Sequence, residues 1–121
     1  MNVKAELINI FDGMGYPHWL MHTMPEDEKY PESFFTFLCT DAPFQAHYDN
    51  KPSAIVWTFW IGFYSSNPES VRTVPNALAA RLRAAGWIVD SPGVDVESDE
   101  PTHTGRRITA VYVEPYEEQE G

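Results

Sequence analysis

The clearest pattern in the chain is "AIVWTFWIGFYS", residues 54–65. Its odd positions, Ile55, Trp57, Phe59, Ile61 and Phe63, are all large and apolar. Its even positions, Val56, Thr58, Trp60, Gly62 and Tyr64, are mixed. Alternation of this kind predicts a strand with the odd side chains in the core. The even face is too aromatic to meet plain solvent, and Gly62 marks a bulge or a close approach. The run stops in "SSNPE", and a helix is predicted directly behind it, over 67–86. Asn67 is a good N-cap, Pro68 suits the first helical position and Gly86 ends the helix. Val71, Val74, Leu78, Leu82 and Ala85 form one apolar stripe. Pro75 clashes with the Val71 carbonyl in an unbroken helix. Either the helix kinks there, or its first turn is separate and the main helix starts near Pro75.

The remaining elements follow from the same periods. Val3, Leu7, Ile10 and Phe11 predict a short helix over 2–12, capped by Asn2 and stopped by Gly13. "HWLMHTM", 18–24, reads as a first strand and "SFFTFLCTD", 33–41, as a second. The charged loop "PEDEKYPE" separates them. "APFQAHYDNKPS" reads as a long connection with a tight turn at Asp49-Asn50. "WIVDSPGVDV", 87–96, predicts strand, turn, strand; "RRITAVYVEP", 106–115, predicts a last strand. The acidic end, 115–121, reads as a disordered tail. The fold class is therefore α+β in one domain, 1–121: a mostly antiparallel, twisted sheet of four to six strands. A short N-terminal helix and one longer helix, about 68–85, pack on one face.

Composition narrows the function. The chain has 121 residues and a formal net charge of −10. Nucleic-acid binding through phosphates, which needs clustered cations, is disfavoured, and so is attraction to anionic membranes. The basic residues are scattered, apart from Arg106-Arg107. Cys39 is the single cysteine, so no internal disulfide framework exists. The N-terminal segment is too acidic and too briefly apolar for a signal peptide, and no run approaches the roughly 20 residues of a membrane span. These features predict a soluble protein made in a reducing cytoplasm.

Candidate chemistry is thin. His18 and His22 share a face of the predicted strand, but their Cα atoms would stand about 13 Å apart at about 3.3 Å per residue, too far for one ion. His47 and His103 read as loop residues, and no zinc-type spacing accompanies any of the four. Cys39 with a histidine base satisfies a nucleophile template too cheaply, and a buried small hydrophobe is the favoured reading. "DVESDE" places Asp95, Glu97 and Asp99 on one side of an extended segment, without the glycine or spacing of a calcium loop. A solvated acidic loop is favoured. No phosphate loop, nucleophile elbow or dinucleotide fingerprint is present. No catalytic, cofactor-binding or metal residue is assigned. Trp19, Trp57, Trp60, Trp87, Tyr64 and Tyr112 suit a core plus a subunit interface better than a ligand cleft.

Several segments in order, "YPHWLMHTMPEDEKYPESFFTF", "AHYDN", "WTFWIGFYSSNPESV", "LRAAGW" and "SDEPTHTGRRITAVYVE", resemble small tail-completion, or head-to-tail joining, proteins of long-tailed bacteriophages. The resemblance covers about residues 7–114. It implies a structural virion protein of phage or prophage origin, made in the host cytoplasm and without enzymatic activity. Related tail terminators have a twisted sheet flanked by helices and assemble as a six-fold ring. The ring caps the tail tube and joins it to the head connector. DNA only passes through the lumen, which a negative charge would suit. By position, His47, Tyr48, Asp49, Asn50, Trp60, Asp99, Glu100, His103, Arg106 and Arg107 are the expected assembly surface. A solvated strand entrance is the plain alternative for the two arginines. The competing function classes are two. One is a small-ligand module or enzyme using the aromatic face with His47 or His103. The other is an acidic inhibitor or regulatory protein that mimics nucleic acid.

Overall fold

The computed structural model describes residues 2–24, 31–48 and 51–115, with the backbone alone at 45–48 and 51–53. In chain order the elements are α1 (Val3–Met14), β1 (His18–Leu20), β2 (Ser33–Asp41), β3 (Phe44–Tyr48), β4 (Lys51–Ser65), α2 (Pro68–Ala84), β5 (Val94–Val96) and β6 (Thr104–Pro115). The sheet runs β1-β2-β4-β6-β5, with β3 also on β4. Only the β1–β2 pairing is parallel. The fold is α+β with a mostly antiparallel sheet. The 54–65 run is its central strand, begun three residues earlier, and it feeds α2 as its pattern predicts.

Ser65 makes that junction. Its hydroxyl is buried, lies 2.8 Å from the Ser33 hydroxyl on β2 and accepts the Asn67 N–H at 3.0 Å. Asn67 in turn accepts the Glu69 N–H and caps α2. The helix is continuous through Pro75, which is buried, so the reading of a separate first turn is not realised. At the far end Gly86 takes a φ of 93°. The Gly86 N–H then donates to the Arg83 carbonyl and the Trp87 N–H to the Leu82 carbonyl. This left-handed stop closes the open carbonyls and turns Trp87 back under the helix, into the core beside Leu82.

Both helices cover the odd face of β4. Val3, Leu7 and Phe11 of α1 and Val74, Leu78 and Leu82 of α2 meet Phe35, Phe37, Phe59, Ile61, Phe63, Ile108 and Ala110 of the sheet. Phe11 stacks on Phe35 with centroids 4.7 Å apart. Among the described residues no helix is long and apolar enough to cross a membrane.

Four expected boundaries are corrected. α1 does not stop at Gly13 but at Gly15, whose φ is 82° and whose N–H reaches the Phe11 and Asp12 carbonyls. Gly13 lies inside the helix, where a Cβ would stand 3.3 Å from Arg81 Nη1; its smallness serves the α1–α2 contact. The strand expected over 18–24 ends at Leu20, because the chain turns there and His22 takes a φ of 67°. The connection expected over 42–53 is largely β3 and the start of β4, since cross-strand pairing recruits it. The first strand of 87–96 shrinks to a single bridge, Ile88 to Val111. The turn expected at Asp49-Asn50 lies outside the described residues, although its flanks, Tyr48 and Lys51, are paired. Of the expected tail, Pro115 closes β6 and the rest lies outside the described residues.

Candidate functional site: the uncovered face of the sheet

Among the described residues no helix covers the even face of β4. The strand register identifies the side chains that share it. Phe34, Tyr64, Gly105 and Val96 form one row across the sheet. Trp19, Thr36, Gly62, Arg107 and Val94 form the next. Leu38, Trp60 and Thr109 form a third, and Val56 pairs with Val113 further along. Thr58, Val111 and Ile88 lie between them, with Asp41 at the margin beside a β-bulge. Among the described residues Arg107 is the one charged residue in the interior of this face.

The face has two halves. At one end it is roofed by its own aromatics. Phe34 is only 3% exposed, under Trp19 (edge-on, 5.7 Å) and Tyr64 (stacked, 5.3 Å). The Tyr64 ring lies flat because two glycines leave room. A Cβ on Gly105 would come within 2.6 Å of that ring, and one on Gly62 within 2.8 Å of Thr36 Oγ1 and 3.1 Å of the ring. Gly62 is therefore a close-approach glycine and not a bulge. Burial raises the Tyr64 phenol above its ordinary pKa; the neighbouring Thr36 hydroxyl opposes this, Asp99 adds to it and Arg107 opposes it.

The other half is bare. Trp60 is 37% exposed, Val113 43%, Val94 51% and Ile88 53%. Arg107 lies over the Trp60 ring, 4.3 Å from its centroid. Large exposed apolar residues interleaved with Thr58 and Thr109, with a cation fixed on an aromatic, have the composition of an interface centre and not of solvated surface.

The expected site residues separate across the structure. Trp60 and Arg107 come together on the bare half. Arg106 does not join them. It is the next residue on β6, so it points to the helix-covered side, opposite Phe63 and Asp95. His103 is buried and not a surface residue. Its Nε2–H donates to the Pro31 carbonyl at 2.8 Å, its Nδ1 lies 2.9 Å from the Thr102 hydroxyl, and its ring packs near Phe34. It ties the segment before β2 to the segment before β6. Asp99 and Glu100 are exposed on the latter segment, next to the open face. His47 and Tyr48 belong to β3 and not to a loop. Asp49 and Asn50 fall outside the described residues.

The aromatics divide likewise. Trp57, Trp87 and Tyr112 go to the helix-covered side, where Trp87 packs on Tyr112 at 5.2 Å and Trp57 Nε1 donates to Glu114. Trp19, Trp60 and Tyr64 go to the open face. His18 and His22 do not share a strand face; His18 instead contacts Asp12 at 3.1 Å and the rings of Phe11 and Phe37. Asp95 sits in β5, whereas Glu97 and Asp99 lie beyond it, and among the described residues no group of three His, Cys, Asp or Glu is placed to hold a metal. A shallow groove of about 330 Å³ runs beside α2, lined by Asn76, Arg83, Asp90 and their neighbours, with no histidine and none of the open-face aromatics.

Sequence reasoning missed Ile88, Val94, Val111 and Val113 as open-face residues. The parity of β6 was the available signal: with Ile108 and Ala110 inward, Arg107, Thr109, Val111 and Val113 point outward. No protein-family model matches the chain, and no curated protein matches it.

Proposed function

We propose that the chain is a structural subunit that self-associates through the open sheet face, completing the tail of a long-tailed phage at its junction with the head. The observation that carries this reading is the bare half of the face: Trp60, Ile88, Val94 and Val113 are exposed along it, with Arg107 over Trp60. A chain of net charge −10 repels its own copies over most of its surface. Among the described residues the interior of this face carries no carboxylate, so it is where copies can approach. The resemblance to head-to-tail joining proteins supplies the architecture: a ring, expected to be six-fold, that meets the tail tube and the connector in the virion. Its role there is mechanical and not enzymatic, and DNA passes through the lumen without being held.

The test is the mass in solution, by light scattering across a concentration series, with and without a purified tail tube protein. The expected result is growth from the 13.8 kDa subunit toward a closed oligomer, sharpened by the tube protein. A strict monomer in both series overturns the reading.

A further inference from the structure

We infer that the acidic segment before β6 of one copy docks on the Arg107–Trp60 platform of a second copy. This rests on the self-association reading and names the contact that would drive it.

Two unsatisfied halves are present in the same chain. The first is Arg107. Its guanidinium lies on Trp60, and among the described residues it forms no ion pair. A guanidinium held over a ring keeps N–H donors that can bind a carboxylate in pairs. The second half is the segment holding Glu97, Asp99 and Glu100. All three carboxylates are exposed, and among the described residues none is in an ion pair.

Within one copy the two halves do not meet. Asp99 and Arg107 both act on the Tyr64 phenol, in opposite directions, yet no ion pair joins them. A second copy resolves both. Its carboxylates would neutralise the Arg107 guanidinium, while its backbone and Pro101 cover the exposed Trp60 and Val94. Every copy carries both halves, so each gives one segment and receives one, the condition for a contact that propagates around a ring. A carboxylate against a cation on an aromatic inside a dehydrated face is also the geometry in which a charge pair sets specificity.

The experiment uses the full chain with Cys39→Ser and two singly tagged forms, Thr109→Cys beside Trp60 and Pro101→Cys beside Glu100. The forms are mixed with a short bismaleimide, at a concentration where light scattering shows association. The expected product is the mixed cross-linked pair. Arg107→Glu in the first form lowers its yield by about tenfold, and Asp99→Lys with Glu100→Lys in the second does the same. Combining the reversed face with the reversed segment restores the yield, which also proves that both variants fold. Yields indifferent to every reversal, with association intact, overturn this contact and leave the self-association reading standing. A wild-type chain that never associates overturns both.

Discussion

The guanidinium of Arg107 sits 4.3 Å from the centre of the Trp60 ring, across two adjacent strands. The pair is diagonal: Trp60 stands opposite Thr109, and Arg107 opposite Gly62. Gly62 has no side chain to keep them apart, so the long arginine stem reaches the indole. The contact fixes the only charge that the described residues bring to the interior of the open face.

Trp60→Ala is therefore expected to separate assembly from folding. The indole is 37% exposed, and its stacked cation is worth about 0.5–1 kcal/mol at such a site, so urea unfolding shifts little. Loss of a central interface tryptophan costs about 2 kcal/mol or more, so association weakens by over about tenfold in light scattering. Arg106→Ala, on the covered side, leaves association unchanged. Equal effects of the two variants on association would show that the open face is not the contact.

Gly105→Ala tests the floor under Tyr64. The new methyl would meet the ring at 2.6 Å and Val96 at 2.9 Å, and both are held between β5 and β4. Overpacking of this kind costs about 1–3 kcal/mol, read as a lowered urea midpoint. A loss below about 0.5 kcal/mol would mean that the ring slides away freely, and the packing account of this row would be wrong.

Tyr64 also predicts a pH dependence. Its phenol is raised above the ordinary value of 10.0, chiefly by burial, so the folded state holds the proton more tightly than the unfolded state. The stability from this group is fully present below pH 10 and is lost as pH rises through the folded pKa. Tyr64→Phe should flatten that alkaline part of the stability profile, measured by denaturation at several pH values. An unchanged alkaline slope in the variant would rule the phenol out as its source.

His103→Ala should destabilise the fold and loosen the segment that carries Asp99 and Glu100. The substitution leaves the Pro31 carbonyl without its 2.8 Å donor, a loss of about 1–3 kcal/mol. Amide hydrogen exchange should rise near the start of β2 and of β6 together, since one side chain joins them. Association should weaken as well, even at a temperature where the variant is fully folded, because the tie to Pro31 positions that acidic segment. A variant as stable as the wild type, with protected amides, would contradict the tie.

Much of the fold was legible because local periods and caps carry it. The alternation through 54–65, the Asn67-Pro68 start and the Gly86 stop of α2, and the Val3-Leu7-Phe11 stripe all survive in the structure. Boundaries failed where pairing decided them. Phe44–Tyr48 has little strand signal of its own and is extended because β4 lies beside it. His18–Leu20 stops early because the chain turns away after Leu20, where His22 takes a φ of 67°, although β2 continues to Asp41.

The site divides in the same way. The sequence by itself determined that β4 has an aromatic even face and that the chain is strongly acidic, and the period of two parts Arg106 from Arg107 once β6 is known to run through both, against their expected place on one assembly surface. These are consequences of covalent order and a period of two. Only the tertiary structure decided that both helices pack on the odd face, leaving the even one bare, and that His103 turns inward to Pro31. It also decided which aromatics line which side. Helix placement depends on which surface the α1 and α2 stripes can jointly bury, a sum over contacts distant in the chain. No local pattern encodes that sum.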